Sequence, residues 1–485
     1  MFTAVTLPLW LVVVGALFAL WAVLASVMLP GVRWVLRSRA SKVLEEVGSR
    51  LQIEIRPFQQ TRRQALIDLL TYDAKVQDSA AAIARAQNLP RDMVTARVRG
   101  YASEIVPAFN AYFYFRVGYL AGRALARSLY RVRIGYSDAE GLSRIPKDAT
   151  VVFVMNHRSN MDYILAAYLA ADQAALSYAV GEWARIWPLQ QLIRSMGAYF
   201  VRRNSGDDLY RRVLERYVAM ATENGVTQAL YPEGGLSRDG RMREPRFGVL
   251  DYMLRGFHPE GERDLVFIPL GLNYDRVLED RTLLIGLDAG AKRPGLARSV
   301  GNTLGFVAHQ AALMARSRWH RFGYACVNFG TPISMREYVR ERGLDLRKLS
   351  REARFESVAE LGRHLMHAVG GLIPVLPVPL VSTVFVRAPE ARFSDLELKS
   401  EVALLIRSLE AAGAHVYVPR RDRDYAIVAG IRHLLLRRLI EETDGLYRAR
   451  PEELPLLRYY ANSITHLLPQ PDAALAGLSA ERKSA

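Results

Sequence analysis

The sequence predicts a central α/β domain. An N-terminal transmembrane helix and a helical region precede it, and a smaller, mostly helical C-terminal region follows it. Three observations lead to this fold class. The first 32 residues carry no charged side chain. From about residue 147, short apolar stretches alternate with helical patterns, as in α/β domains. Before 147 and after about 370, helical patterns dominate.

A chain of 485 residues is long enough for two or three domains. We expect five segments, which in chain order are an anchor (1–40), a helical region (41–146), the α/β domain (147–370), a smaller helical region (371–468) and a disordered tail (469–485).

The N-terminal segment Leu7–Leu29 would span about 34 Å as a helix, which is enough to cross a bilayer. Nothing basic precedes it, and four basic residues follow it closely: Arg33, Arg37, Arg39 and Lys42. The positive-inside rule then places the bulk of the chain on the cytoplasmic side of the inner (plasma) membrane. A cleaved signal peptide and a helix lying in the membrane interface are less favoured alternatives.

The region before the α/β domain shows helical spacing of apolar residues in Arg62–Lys75 and Val94–Ile105. The stretch Pro107–Tyr130 is strongly aromatic, with recurring arginines. It is either a core helix of a bundle or a membrane-surface helix, with tyrosines among the headgroups and arginines on phosphates.

The α/β domain is expected to contain five strands separated by helices that include Leu209–Asn224 and Gly301–Arg316. The strands are Thr150–Met155, Ala198–Arg202, Thr227–Tyr231, Leu265–Asn273 and Tyr324–Phe329. The apolar stretch Leu372–Val386 is short and broken by three prolines, which favours a buried connector over a second membrane span.

The formal net charge of +16 is consistent with nucleic acid, anionic lipid or an anionic substrate as a partner. No recognisable nucleic-acid module or zinc-ligand cluster accompanies the charge, so we expect neither nucleic acid nor a metal. The single cysteine, Cys326, rules out an intramolecular disulfide and is expected to be a small core residue.

The most informative stretch joins the first expected strand to the next helix and contains His157 and Asp162. On one continuous helix their side chains would point roughly 140° apart, because each residue turns the helix by about 100°. They can meet only if His157 lies in the loop and Asp162 in the first helical turn. The carboxylate can then orient the imidazole, which takes a proton from a substrate hydroxyl. Alternatively, Asp162 only complements the helix dipole.

Three further strand ends carry polar or unusual residues. Arg202 and Arg203 end one strand, where at most one of them can point into a given site. The segment 231–241 combines two glycines that allow close backbone approach with arginines suited to a phosphate, namely Gly234, Gly235, Arg238 and Arg241. Pro269 lies inside a strand, which predicts a sheet edge or a bulge. Each feature also has a purely structural explanation: a solvated rim, a plain turn and an edge strand.

Together and in this order, the segments HRSNMD (157–162), GAYFVRR (197–203), YPEGGLSR (231–238) and VFIPLGLNY (266–274) resemble the four blocks of the glycerolipid acyltransferases. Within that superfamily, the residues of the four blocks are most similar to those of bacterial membrane-bound glycerol-3-phosphate acyltransferases. The similarity extends to LLRYYANSI (456–464) and covers roughly residues 60–468.

The resemblance implies an acyltransferase-type α/β fold and transfer of an acyl group to the first hydroxyl of glycerol 3-phosphate. The donor would be a thioester of acyl-carrier protein or coenzyme A, with no other cofactor and with a phospholipid membrane as a partner. It implies that His157 is the general base and Asp162 orients it. The remaining implied roles are a site shaped by Glu233 and Gly234, a glycerol-phosphate pocket lined by Arg202, Arg203, Ser237 and Arg238, and an acyl side that includes Pro269.

The chain departs from the family pattern at Leu236, where the third block usually carries an arginine. We expect Arg241 to replace that phosphate contact. The departure leaves lysophosphatidate and dihydroxyacetone phosphate open as acceptors. A non-catalytic protein that binds anionic lipid through its basic surface is the alternative from another class.

Overall fold

The computed structural model describes residues 56–109, 114, 118–170, 176–180, 189–202, 205–285 and 321–469. All of them belong to one structural unit, which spans residues 53–485. The boundaries expected within this span stay predictions.

An eight-stranded sheet organises the central part of the chain. Its order is β1-β7-β6-β2-β5-β3-β4, and the short β8 also pairs with β6. The strands are β1 Arg131–Ser137, β2 Thr150–Met155, β3 Ser177–Val180, β4 Tyr199–Phe200, β5 Gln228–Leu230, β6 Leu265–Tyr274, β7 Tyr324–Phe329 and β8 Ile333–Ser334.

The sheet is mostly parallel, but β6 pairs with β7 and β8 in antiparallel fashion. Strands β2, β6 and β7 are buried along their whole length, which explains why they are near-continuous apolar runs. β2 and β7 coincide with the strands expected from the sequence. β1 alternates between exposed and half-buried residues at the edge of the sheet, and its polar composition concealed it.

Pro269 does not lie in an edge strand, as its position had suggested. It is buried in β6, which runs between β2 and β7 and pairs with Val154 of β2. Its carbonyl accepts a hydrogen bond from Gly330 N–H at 2.9 Å, on the side of β7 and β8. In a strand, the N–H and C=O groups of one residue point to the same side, so the position where Pro269 lacks an N–H also faces this side. Pro269 lies between the part of β6 that pairs with β8 and the part that pairs with β7. The interrupted ladder accommodates the proline.

The helices before and within the sheet region are α1 Pro57–Gln60, α2 Arg63–Thr71, α3 Ala74–Ala86, α4 Arg91–Ile105, α5 Tyr119–Leu129, α6 Ala139–Ser143, α7 Met161–Ala170, α8 Leu189–Ser195, α9 Asp208–Glu223, α10 Gly248–Leu254, α11 Asp280–Ile285 and α12 Met335–Glu341. Of the two helices expected in the sheet region, α9 matches one, and Gly301–Arg316 lies outside the described residues.

The helical region before the sheet is bound tightly to α9. Asp73 breaks the expected helix Arg62–Lys75 in two, because its side chain caps α3 by accepting two backbone N–H groups. Its second oxygen accepts from Arg216 of α9 at 2.7 Å. Val152 and Val154, two residues apart on β2, share a core with α2, α3, α4 and α9, so this core covers one face of the sheet.

The C-terminal region contains helices α13 Arg351–Gly371, α14 Pro377–Arg387, α15 Asp395–Ala411, α16 Arg423–Leu436 and α17 Leu454–Asn462. It also contains a three-stranded antiparallel sheet of β9 Arg392–Ser394, β10 Ile440–Thr443 and β11 Leu446–Ala449, so "mostly helical" was incomplete. The expected buried connector is α14, which is buried from Pro377 to Phe385. Its two prolines lie in the first turn, where no N–H partner is needed.

The expected fold class is corrected in one further respect. None of the helices in the part of the chain described above is long and apolar enough to cross a membrane. The expected span Leu7–Leu29 lies outside the described residues. The described residues therefore form an α/β sheet domain with helices before it and a mixed C-terminal region, and they contain no transmembrane helix of the kind that the predicted class included.

Candidate active site

His157 lies in the loop between β2 and α7, and Asp162 lies in the first turn of α7, as the five-residue spacing required. His157 Nδ1 and Asp162 Oδ2 are 2.9 Å apart. Both side chains are buried, with 4% of His157 and 0% of Asp162 exposed. The pair is therefore held away from bulk water.

The Asp162 carboxylate is fixed by more than the imidazole. Oδ2 accepts the backbone N–H groups of Arg158 at 2.7 Å and Ser159 at 3.0 Å, and Oδ1 accepts the Tyr274 hydroxyl. An ionised carboxylate only accepts hydrogen bonds, so Nδ1 of His157 carries the proton. Nε2 is then the basic nitrogen and can take a proton.

A second carboxylate, that of Glu279, accepts hydrogen bonds from the loop that contains His157. Glu279, beyond the end of β6, accepts the Ser159 hydroxyl at 2.8 Å and the Asn160 N–H at 3.2 Å. The Met161 N–H at the start of α7 donates to Ser159 Oγ at 3.1 Å, so the Ser159 side chain satisfies one of the unpaired N–H groups of the first helical turn. Burial raises the pKa of the Glu279 carboxyl.

Glu233 and Ser237 tie the third block to His157 through the backbone. Glu233 accepts the N–H of His157 at 2.8 Å with Oε1 and that of Arg243 at 2.9 Å with Oε2. Burial raises the pKa of Glu233, and these two bonds oppose the shift. The Ser237 N–H donates to the His157 carbonyl at 3.0 Å, and its hydroxyl donates to the Arg241 carbonyl at 2.6 Å. Both side chains shape the site by holding backbone.

A cavity of about 340 Å³ opens beside the imidazole. His157, Tyr163, Tyr231 and Gly235 line it near the His157–Asp162 pair. Its cationic residues are Arg202, Arg211 and Arg246, and its remaining wall is largely apolar, with Val180, Val201, Leu214, Leu230 and Val249.

Gly234 has a positive φ of 65°, and a Cβ there would lie 2.9 Å from Cδ of Arg246. The glycine thus permits a left-handed backbone and leaves room for the stem of Arg246 above it. Arg246 lies five residues beyond Arg241, and its backbone N–H donates to the Pro232 carbonyl at 2.7 Å. Arg246 is not among the site residues predicted from the sequence, which indicated only that the glycines allow close backbone approach.

The four arginines expected at the phosphate have different positions. Arg202 lines the cavity and forms a two-pronged ion pair with Glu104 of α4. Arg203 lies outside the described residues. Arg238 and Arg241 are exposed and are not among the residues that line the cavity. Their roles as phosphate ligands stay predictions, as does the acyl-side role of Pro269, which also lies outside the lining.

Helix α17 of the C-terminal region packs against the loops that carry Arg158 and Gly240. The Arg158 guanidinium, 3% exposed, donates to the Gly240 carbonyl and lies 5.3 Å from the ring centre of Tyr459. Asn462 donates to the Asp239 carbonyl at 2.9 Å. A Cβ on Gly240 would lie only 1.9 Å from the Tyr459 carbonyl oxygen. The segment LLRYYANSI thus packs directly on Asp239 and Gly240, which follow the third block, and on Arg158 of the first block.

Two family models match the chain. Residues 137–273 match the model described as "Acyltransferase", and residues 311–483 match "Glycerol-3-phosphate acyltransferase C-terminal region". The first match contains the first three blocks, the fourth block except its last residue, Tyr274, and every predicted site residue. The second contains α17.

Three curated relatives are named glycerol-3-phosphate acyltransferase. Those of Pseudomonas savastanoi pv. phaseolicola and Ectopseudomonas mendocina are each 26% identical over 425 residues, 85% of this chain and 49% and 50% of their own length. That of Pseudomonas putida is 26% identical over 442 residues, 87% of this chain and 51% of its own length. The chain thus spans about half the length of the curated relatives it matches.

Among solved structures, a 1-acyl-sn-glycerophosphate acyltransferase from Thermotoga maritima matches 63% of this chain with 18% identity and a TM-score of only 0.30. The family assignment therefore depends on the matched sequence segments. These are the acyltransferase region with its four blocks and the C-terminal region that follows it. Over these two segments the chain is similar to acyltransferases and to the C-terminal region of glycerol-3-phosphate acyltransferases.

Proposed function

We propose that this chain is a glycerol-3-phosphate O-acyltransferase of phospholipid biosynthesis. It transfers a fatty acyl group from an acyl-carrier protein or coenzyme A thioester to the sn-1 hydroxyl of glycerol 3-phosphate. The observation that carries the proposal is the buried His157–Asp162 pair beside a cavity with three arginines. The names of the relatives support the acceptor.

The chemistry needs one general base. Nε2 of His157 takes the proton of the acceptor hydroxyl while its oxygen attacks the thioester carbonyl. The carbon–sulfur bond breaks, and the thiolate takes up the proton from the imidazolium. Asp162 stabilises the imidazolium that forms in between. A thioester is reactive enough that holding the hydroxyl beside its carbonyl supplies much of the barrier reduction.

The acceptor phosphate is a dianion and needs cationic donors. Arg246 is the best-placed cavity residue, because no hydrogen bond or ion pair of its side chain occurs within the described residues. Arg202 can add a second contact if Glu104 yields one of its two bonds. The apolar part of the wall suits the first carbons of the acyl chain.

We place the reaction at the cytoplasmic face of the inner membrane, because its product is an amphiphile that belongs in a bilayer. The net charge of +16 favours an anionic lipid surface. Co-sedimentation with vesicles that contain phosphatidylglycerol should exceed that with pure phosphatidylcholine vesicles and should fall with salt. Equal binding to both vesicles would contradict this placement.

An acyl-transfer assay tests the activity. Purified protein is incubated with acyl-carrier-protein and coenzyme A thioesters and with glycerol 3-phosphate, dihydroxyacetone phosphate or lysophosphatidate. We expect ester formation with glycerol 3-phosphate. Ester formation only with another acceptor would reassign the substrate, and none with any pair would contradict an acyltransferase.

Two histidine variants test the general base, one at His157 and a matched control at His367. His157→Ala should abolish nearly all turnover while the fold remains. His367→Ala, at an exposed position on α13, should retain it. If folded His157→Ala retains more than about a tenth of the wild-type rate, His157 is not the base.

A further inference from the structure

The hydroxyl of Tyr163 contacts the reactive nitrogen of the site. Tyr163 Oη lies 3.2 Å from His157 Nε2, and the two rings meet edge to face with their centres 5.2 Å apart. Tyr163 directly follows Asp162 on α7 and lines the cavity. Tyr163 is not among the site residues predicted from the sequence, and it has no role in the proposed acyl-transfer steps.

The direction of this hydrogen bond follows from the Asp162 contacts. Nδ1 carries the imidazole proton because it faces a carboxylate, so Nε2 has only a lone pair to offer. The Tyr163 hydroxyl is therefore the donor and Nε2 the acceptor. The bond occupies the lone pair that must accept the proton of the acceptor hydroxyl during transfer.

The Tyr163 ring is held in place by two other tyrosines. It stacks on Tyr178, with ring centres 5.0 Å apart and planes inclined by 28°. It meets Tyr231 nearly edge-on, with centres 4.9 Å apart. A ring confined on two sides keeps its hydroxyl near Nε2, so an incoming molecule has to compete for the lone pair.

We propose that Tyr163 protects the general base from water and thereby favours acyl transfer over hydrolysis of the acyl thioester. The inference rests on the proposed function. In the hydrolytic side reaction, water gives its proton to Nε2 and its oxygen attacks the thioester carbonyl. The carbon–sulfur bond breaks, and a fatty acid and a protonated thiol are released. The Tyr163 hydroxyl blocks the first step while the acceptor is absent.

The protection acts unequally on water and on the acceptor. Glycerol 3-phosphate is anchored through its phosphate, so its hydroxyl has a high effective concentration at Nε2 and can displace the tyrosine hydroxyl. A water molecule has no such anchor. Once displaced, the tyrosine hydroxyl is free to rotate toward the oxygen that replaced it.

Tyr163→Phe tests the inference because it keeps the ring and removes only the hydroxyl. Thiol release and ester formation are measured in parallel with one acyl thioester, with and without glycerol 3-phosphate. A neutral hydrogen bond of ordinary strength corresponds to about a three- to tenfold effect. We expect thiol release without acceptor to rise by that factor, and the ratio of thiol to ester at saturating acceptor to rise as well.

Two further variants separate this role from a structural one. Tyr178→Phe keeps the stacked ring and removes a hydroxyl that is not bonded to His157, so it should keep the wild-type ratio. Adding His157→Ala to Tyr163→Phe should abolish the extra thiol release, because the base itself is gone. Thermal unfolding verifies that each variant is folded.

An unchanged thiol-to-ester ratio in folded Tyr163→Phe overturns the inference. So does a loss of ester formation without extra hydrolysis, which would make Tyr163 a donor to the reacting oxygen instead. Failure of the proposed function is a separate result, since the wild-type protein would then form no ester with any acceptor.

Discussion

Replacing Asp162 by asparagine isolates the charge of this residue from its hydrogen bonds. Three donors converge on Oδ2 of Asp162: His157 Nδ1 and the backbone N–H groups of Arg158 and Ser159. An amide nitrogen in that position would face all three donors. The asparagine must therefore place its oxygen there and its nitrogen toward the Tyr274 hydroxyl, which can also accept a hydrogen bond.

In this orientation the imidazole keeps its tautomer and its position, and only the negative charge is lost. In the proposed mechanism, that charge stabilises the imidazolium formed when His157 takes the substrate proton. For charges about 4 Å apart at an effective dielectric constant of about 20, the attraction is about 4 kcal/mol. Its loss corresponds to roughly a thousandfold lower turnover.

The assay compares turnover with the free energy of unfolding in urea. Asp162→Asn should lose about three orders of magnitude in turnover and little stability. Asp162→Ala leaves buried donors without an acceptor, so it should also lose about 3–5 kcal/mol of stability. If folded Asp162→Asn keeps more than about a tenth of the wild-type rate, the carboxylate does not act through the imidazolium.

Three further predictions concern the acceptor, the C-terminal contact and pH. Arg246→Ala should raise the KM for glycerol 3-phosphate about ten- to a hundredfold by removing a charge-assisted hydrogen bond, whereas Arg241→Ala, outside the cavity lining, should not. The opposite order in steady-state kinetics would favour the phosphate role that the sequence suggested for Arg241. Gly240→Ala should destabilise the fold by about 2–5 kcal/mol, because the added Cβ would collide with the Tyr459 carbonyl and because Gly240 has a φ of 89°, which alanine rarely adopts. An unchanged melting temperature would contradict the close packing of α17 on Gly240. Burial raises the pKa of Asp275 to about 7. Between about pH 4 and 7 the folded chain therefore holds a proton that the unfolded chain has released. The resulting stabilisation is fully present below about pH 4 and is lost as the pH rises to 7. Asp275→Asn should remove this decline in urea titrations between pH 4 and 7, and an equally steep decline would exclude Asp275 as its source.

Local sequence determined much of the sheet. β2, β6 and β7 are buried along their length, and a continuous apolar run is sufficient to indicate such a strand. β1 and the small sheet of the C-terminal region escaped detection because their strands are short or polar. The strand character of β1 comes from pairing with β7 across almost two hundred residues, whereas β10 and β11 form a tight hairpin whose second strand pairs with β9.

The contact between His157 and Asp162 also follows from local sequence. His157 and Asp162 are five residues apart, so a strand, a short loop and one helical turn bring them together without help from the rest of the chain. The distance of 2.9 Å between Nδ1 and Oδ2 agrees with that expectation. The backbone ties of Glu233 and Ser237 to His157 required knowing that β2 and β5 are neighbours.

Only the tertiary structure decided which charged groups meet the cavity. Arg246 reaches it by lying over Gly234, and Arg202 is shared with Glu104, about a hundred residues earlier in the chain. Spacing along the chain cannot reveal such contacts, because the direction of a loop side chain depends on what packs against it from elsewhere. The sequence by itself determined the contact between His157 and Asp162, since its geometry is local. The walls of the cavity beside them come from segments far apart in the chain, and only folding brings those segments together.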